Sequence, residues 1–379
     1  VLSPARKVAF DVLRRVEDGA YASDLLAAHA SQLDSRDAGL ASEIVFGCLR
    51  RQAQLDFLVE HFAGRAAARM DAEVRIALRM GIYQRRYLDR VPEHAAVSES
   101  VELVKRARKR SAAALVNAVL RKIGRDPVRW PDRATELSMP PWLLARWDSF
   151  FGTETATRIA QTFLAAPETY VRIAQPGKAP PGLEPADIPG CYRVVSGDTA
   201  GWRIQDIGSQ AIVPLLDLRP GQTFLDLCAA PGNKTAQALE SGVRAIACDL
   251  HLRRLRAVEG CARVVLDGTA PLPFHTRFDR ILVDVPCSGT GTLGRNPEIK
   301  WRIQPDDLVE LHMRQVALLR NAMAALTPGG TMVYATCSLE AVENEEVLRE
   351  AGFPVEQTLR RTPGIDPGDG FFAAVLTSK

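Results

Sequence analysis

From about residue 206 the chain takes on a rhythm that admits few folds: short, nearly all-apolar runs alternate with longer helical stretches. The runs are Thr223–Leu227, Val243–Cys248, Arg263–Leu266, Arg280–Asp284, Thr331–Ala335 and Phe371–Leu376, and helices are predicted over 234–241, 305–326 and 340–350. A strand that is apolar throughout must be covered on both faces. Strand–helix alternation achieves this with a parallel sheet and crossover helices. Pro328-Gly329-Gly330 is predicted as the turn that feeds the fifth run.

Upstream the period is helical. Residues 1–125 read as consecutive helices, with Ser3 as the cap of the first and Pro4 in its first turn. Val74, Leu78, Gly81 and Ile82 share one helical face, as do Val97, Val101 and Val104, and Leu115, Val119, Leu120 and Ile123; such stripes are core. Four prolines between Pro127 and Pro141 predict a boundary, then a helix over about 141–165. Short strands follow, including Tyr170–Ile173 and Tyr192–Val195, around a Pro/Gly-rich loop over 175–190. The expected fold class is therefore multidomain: an all-α domain over 1–130, a linker and small α+β subdomain over 131–205, and a Rossmann-like α/β domain over 206–379.

Charge is unevenly spread. Residues 1–130 hold 23 Lys/Arg against 16 Asp/Glu, a net of +7, while the remainder nets −4. Five of the six residues Lys105-Arg106-Ala107-Arg108-Lys109-Arg110 are basic. Such a run belongs on an exposed turn and is a candidate contact for the phosphates of a nucleic acid. The seven cysteines are an odd number without metal-type spacing, which argues against a disulfide framework and against a metal site. No apolar run approaches the ~18 residues of a membrane span. The start of the chain has no signal-like stretch, so a cytoplasmic location and no membrane partner are expected. Nothing in the pattern demands an oligomer, and a monomer is expected.

In open parallel sheets ligands sit at the carboxyl ends of the strands, and the polar residues of the second half gather there. Asp226 and Cys228, Asp249, Asp267, Asp284 and Cys337 each end a run. The turn from Cys228 to Thr235 has one glycine, Gly232, and matches neither a dinucleotide nor a phosphate loop, which suits a cofactor without pyrophosphate. Asp249 is placed to accept hydrogen bonds from ribose hydroxyls. Asp267-Gly268 is equally compatible with a turn made by its own sequence. Cys287, in Asp284-Val285-Pro286-Cys287-Ser288-Gly289, and Cys337, in Tyr334-Ala335-Thr336-Cys337-Ser338, place two thiols at one sheet edge.

These three motifs, in this order, resemble those of the NOL1/NOP2/Sun family of S-adenosylmethionine-dependent RNA cytosine-5 methyltransferases, over roughly residues 205–379. The resemblance implies that Cys228, Ala229, Ala230, Pro231, Gly232, Lys234, Asp249, Asp267 and Asp284 line the site for S-adenosylmethionine. It also implies that Cys337 is the nucleophile and that Cys287 assists release. The helical half is similar to the NusB-like RNA-binding domain, and the pairing implies small-subunit ribosomal RNA as substrate. Asn233 stands where the family often has a second glycine. Only 17 residues separate Asp249 from Asp267, short for a full crossover helix. Either the helix is abbreviated there or residues are missing.

The chemistry suits the residues. Cytosine C5 becomes nucleophilic when a thiolate adds to C6. A carboxyl group such as Asp284, near ring N3 and the exocyclic amine, stabilises the charge that develops. Loss of the C5 proton and elimination of the thiol call for a second acid/base group, for which Cys287 is placed. The base must be single-stranded or flipped out to be reached. Without the resemblance the two thiols could exchange roles, as in DNA cytosine-5 methyltransferases, which use a Pro-Cys thiol for addition. A DNA methyltransferase is therefore one alternative, and a non-catalytic RNA-binding or antitermination module is another.

Overall fold

The computed structural model describes residues 2–174, 180–197, 199 and 201–378. Of the loop expected over 175–190, residues 175–179 lie outside the described set. Contacts divide the chain into two units, Val1–Ala166 with Leu293–Arg302, and Pro167–Thr292 with Ile303–Lys379. The expected boundaries at 130 and 205 fall inside these units. Residues 131–166 belong with the helices because the proline-rich stretch is tied down. Gln54 Nε2 donates to the Glu136 carbonyl (2.5 Å), and Ala53 N–H donates to Ser138 Oγ (3.1 Å).

In the helical unit, Pro4–Glu17, Ser35–Arg50, Gln52–Ala63, Ala72–Tyr87, Glu93–Arg106 and Ala113–Lys122 pack around one core. The predicted stripes are buried or pack against it. Val74, Leu78, Ile82, Val104, Val119 and Leu120 are all buried. Gly81 lets helices approach, since a Cβ there would lie 2.6 Å from Leu120 Cδ1. Ser3 occupies the cap position, but its side chain makes no cap hydrogen bond. The hydroxyl instead donates to Glu99 Oε2 at 2.8 Å. Ten residues from the second half of the sequence complete this unit. Trp301 Nε1 donates to the Leu49 carbonyl (2.9 Å), and the buried Lys300 Nζ donates to the Arg50 carbonyl (2.8 Å).

The other unit holds two sheets. The small one is antiparallel, built from β1 (Tyr170–Arg172), β2 (Leu183–Pro185), β3 (Cys191–Val194) and β4 (Arg203–Ile204), in the order β2-β3-β1-β4. The large one comprises β5 (Thr223–Asp226), β6 (Arg244–Asp249), β7 (Ala262–Val265), β8 (Phe278–Asp284), β9 (Leu326–Thr336), β10 (Val355–Arg361) and β11 (Phe371–Thr377). Its order is β10-β11-β9-β8-β5-β6-β7, parallel from β9 to β7 and antiparallel at β9-β11 and β11-β10. All six predicted strands are present. Pro328-Gly329-Gly330 is not a turn before the fifth but lies inside β9, where the pairing with β8 shifts register. The crossover between β6 and β7 is indeed abbreviated, to the four-residue helix Leu252–Leu255. The sheet is covered on both faces. Pro305–Ala324 and Glu345–Ala351 pack on one, while Val213–Leu216 and Asn233–Leu239 pack on the other.

Candidate active site

The carboxyl ends of β5, β6, β8 and β9 bring the predicted residues to one edge. Beyond Asp226 the chain turns through Cys228, Ala229, Ala230 and Pro231 to Gly232, whose φ of 109° suits a glycine before the helix Asn233–Leu239. A Cβ at Gly232 would lie 3.0 Å from Val258 Cγ2, so the turn runs close to its neighbour. Asn233 opens the helix instead of adding a second flexible link, and its Nδ2 donates to the Ile204 carbonyl (3.2 Å). Cys228 through Lys234, with Ser209, Asp226 and Asp284, line a cleft of about 100 Å³.

Charges in this cleft are ordered. Lys234 Nζ donates to Asp284 Oδ2 at 2.7 Å and lies 5.3 Å from the centroid of the Phe371 ring. Burial alone would lower the Lys234 ammonium, but Asp284, with smaller contributions from Cys337 and Asp226, raises it above the ordinary lysine value. Burial pushes Asp226 up to about 7 against the opposing Thr235 hydroxyl, which donates to Oδ2 at 2.6 Å. The other Asp226 oxygen is buried without a hydrogen-bond partner among the described residues. Burial and the neighbouring carboxylates hold the Cys228 thiol well above its ordinary range, so it lines the cleft as a neutral group.

Asp249 sits just behind the turn. Its Oδ2 accepts from Ala230 N–H (3.2 Å) and its Oδ1 from His251 N–H (2.9 Å), which fixes the carboxylate at the end of β6. Asp267 is not among the residues lining the cleft. Its Oδ1 accepts from the Thr269 hydroxyl (2.7 Å) and backbone N–H (2.9 Å), and these bonds hold its carboxyl below the usual range. These bonds cap its own turn.

The two thiols meet. Cys287 and Cys337 are unbonded cysteines whose Sγ atoms lie 3.3 Å apart, because β8 and β9 are parallel neighbours in register at Asp284 and Ala335. The hydrogen bond to Cys337, followed by burial, holds Cys287 well above the ordinary thiol range, so Cys287 keeps its proton.

Sequence reasoning missed what fastens these two loops. Glu343 is fully buried, and its Oε1 accepts from Ser288 N–H (2.8 Å) and Gln315 Nε2 (3.0 Å). Its Oε2 accepts from the hydroxyls of both Ser288 and Ser338, the residues that follow the two cysteines. Asn344 holds the second loop through Thr336 Oγ1 (2.6 Å) and the Ser338 carbonyl (3.0 Å). The available signal was Glu343-Asn344 soon after Cys337, but in sequence it reads as the polar start of a helix.

In the helical unit the basic run is an exposed turn at the end of Glu93–Arg106, with Arg108 at φ 62°. Lys109 pairs with Asp71 (2.9 Å) and Arg106 with Glu102 (3.6 Å). Among the described residues Lys105, Arg108 and Arg110 have no ion-pair partner.

Comparison with known proteins fits both units. Residues 213–352 match the family described as 16S rRNA methyltransferase RsmB/F, and residues 3–125 match the NusB family. The probable ribosomal RNA small subunit methyltransferase B of Bacillus subtilis (strain 168) is 31% identical over 390 residues, 90% of this chain and 87% of its own. The crystal structure of PH0851 aligns over 100% of both chains with a TM-score of 0.82 and 20% identity. That of NSun6 from Pyrococcus horikoshii with SFG covers 63% of this chain and 98% of its own, with a TM-score of 0.56 and 18% identity. At those identities the two structures speak to fold.

Proposed function

We propose, from the premise that this chain belongs to the ribosomal RNA small subunit methyltransferase B family, that it methylates carbon 5 of a cytosine through a covalent adduct with Cys337. Membership makes it an S-adenosylmethionine-dependent ribosomal RNA methyltransferase with a NusB-type helical domain. The base, the atom and the adduct are the proposal. The observation that carries it is the 3.3 Å approach of two thiols beside the Lys234–Asp284 pair. Methylation of a nucleophilic nitrogen or oxygen needs no thiol pair, whereas carbon 5 of cytosine needs a nucleophile and then its removal.

The residues fit the cofactor. The turn at Gly232 has room for no side chain, Asp226 keeps a buried carboxylate oxygen free, and Asp249 stands fixed at the next strand end. Cys228, Ala229, Ala230, Pro231, Gly232 and Lys234 would hold it, with Asp249 on its ribose. When bound, it supplies an electrophilic methyl group on a sulfonium. Asp267, as the family resemblance implies, would join this set.

Cys337 Sγ adds to C6 of a cytosine flipped out of its strand, and the ring electrons move towards N3. Asp284, braced by Lys234, faces N3 and the amine and balances the charge that develops. C5 then carries both the new methyl and its proton. Once Cys337 is a thioether it no longer accepts the Cys287 hydrogen bond as before, so the largest cause of the high Cys287 pKa lapses. Cys287 can then give its own proton to solvent and take the C5 proton; the C–H electrons form the C5=C6 double bond, the C6–S bond breaks and its electrons return to Cys337. The exposed cations of the 105–110 turn contact phosphates, and the protein acts as a monomer in the cytoplasm. No helix among the described residues is long and apolar enough to cross a membrane.

The test is transfer of labelled methyl to small-subunit ribosomal RNA, followed by bisulfite sequencing of the product. One protected cytosine is expected. Label on another base, or on the cytosine amine, contradicts the reading.

A further inference from the structure

The two cysteine loops are not held equally. Cys337 directly follows β9, which is paired on both sides, with β8 up to Ala335 and with β11 up to Thr336. Asn344 then clamps Thr336 and Ser338, and the Cys337 carbonyl accepts from Gly291 N–H (2.9 Å). Cys287 lies three residues beyond the end of β8, past the last ladder bond, from Val285 N–H to the Ala335 carbonyl (3.0 Å). Immediately on either side of Cys287 the anchors to neighbouring elements are side chains, and the loop next meets a neighbour's backbone at Gly291. Gln315 Nε2 donates to the Pro286 carbonyl (2.9 Å), and Ser288 donates through both its N–H and its hydroxyl to Glu343. Gln315 is itself oriented by Glu343 (3.0 Å), so both anchors depend on one buried carboxylate. That carboxylate also accepts from Ser338 beside Cys337, and the Glu343 carbonyl accepts from the buried Tyr334 hydroxyl (2.6 Å).

We infer that Glu343 is a positioning residue that sets the Cys287 thiol against Cys337 and thereby controls release of the methylated base, not formation of the adduct. The inference rests on the reading of Cys287 as the residue that resolves the adduct. The asymmetry of the anchors gives it direction. With Glu343 removed, β9 and Asn344 still present Cys337 to the base, while the loop carrying Cys287 loses the acceptor for Ser288 and the group that orients Gln315. The carboxylate also contributes to keeping Cys287 protonated in the resting site, which agrees with its placement. Ionised, it has acceptors for four donors and none of its own to place, so it can gather two hydroxyls, an N–H and an amide at once. A glutamine there keeps the shape and one acceptor oxygen. Its NH2 can donate to the two serine hydroxyls, which rotate to accept.

The experiment incubates full-length protein with small-subunit ribosomal RNA and S-adenosylmethionine and reads the fraction of RNA carried with protein on denaturing electrophoresis. Cys287→Ala is the reference. Glu343→Ala is expected to trap an adduct to at least half the extent of Cys287→Ala, with cofactor affinity within twofold of the parent. Glu343→Gln is expected to restore release to within tenfold of the parent. If Glu343→Ala does not fold, Ser288→Ala removes one tether of the same loop and is expected to give a smaller but measurable trap. A trap with Cys287→Ala and none with the Glu343 or Ser288 variants overturns this inference alone. No trap with Cys287→Ala overturns the parent reading, and this inference with it. Equal loss of addition and release in Glu343→Ala, without rescue by Glu343→Gln, assigns Glu343 a merely structural role and also overturns it.

Discussion

The helical unit and the sheet-bearing unit bury charge to different ends. In the helices, Arg79 and Arg6 are neutralised locally. Arg79 lies between Asp56 (2.7 Å) and Glu17 (3.1 Å), and Arg6 meets Glu99 at 2.8 Å. These pairs fasten helix to helix. At the sheet edge the buried polar groups converge instead. Asp226, Lys234 with Asp284, the two cysteines and Glu343 all follow or face the carboxyl ends of adjacent strands. Buried polar groups are costly unless satisfied, and at this edge one Asp226 oxygen has no hydrogen-bond partner among the described residues. On the proposed reading the helical unit supplies affinity for RNA, and the sheet edge supplies chemistry.

That division can be broken from either side. The largest effect is expected at the sheet edge. Asp249→Asn keeps the size of the side chain but removes the charge that would accept from ribose hydroxyls. Cofactor affinity, read by calorimetry, should fall about tenfold, or ~1.4 kcal/mol, while RNA affinity stays as it was. Unchanged cofactor affinity rejects the ribose role.

The helical side is probed by replacing Lys105, Arg108 and Arg110 together with Gln. If each touches one phosphate, the slope of log K against log salt for RNA binding should become shallower by about 2, and cofactor binding should not move. The same salt slope in parent and variant places RNA affinity elsewhere.

A smaller effect concerns Lys300, buried in the helical unit without a carboxylate partner among the described residues. Burial lowers its ammonium to about 7 from an ordinary 10.5. Between those two values the unfolded chain binds the proton and the folded chain does not, so stability rises with pH across that window. Lys300→Met should flatten the dependence of Tm on pH between about 7 and 10. An unaltered slope shows that Lys300 is charged in the folded protein.

The two units were also unequally legible in sequence. The apolar strands of the sheet interior and the stripes of helices 1–125 follow from period alone, because burial on both faces, or on one helical face, leaves an unmistakable composition, while β7 is a mostly exposed edge strand. β10 was missed because Val355-Glu356-Gln357-Thr358-Leu359-Arg360-Arg361 is a mostly exposed edge strand with two apolar residues. The contact division falls later than the proline signal because side-chain bonds, such as that of Gln54 to Glu136, tie the next stretch to the helices, while the NusB match ends at residue 125. The cysteine motifs and the cofactor turn were readable as local strings. Glu343 was not, because its role exists only once β8 and β9 lie side by side. Nor was the packing of Leu293–Arg302 among the helices, which joins residues about 250 apart in sequence.

In the proposed mechanism the two thiols divide the labour, Cys337 adding to the base and Cys287 releasing it. This division is tested most directly by incubating Cys337→Ala and Cys287→Ala separately with end-labelled small-subunit ribosomal RNA and S-adenosylmethionine, then resolving the products under denaturing conditions. Cys287→Ala should retain RNA as a slow-migrating covalent complex carrying the transferred methyl group, and Cys337→Ala should leave all RNA free. A complex formed by Cys337→Ala and absent from Cys287→Ala would contradict the claim and make Cys287 the nucleophile.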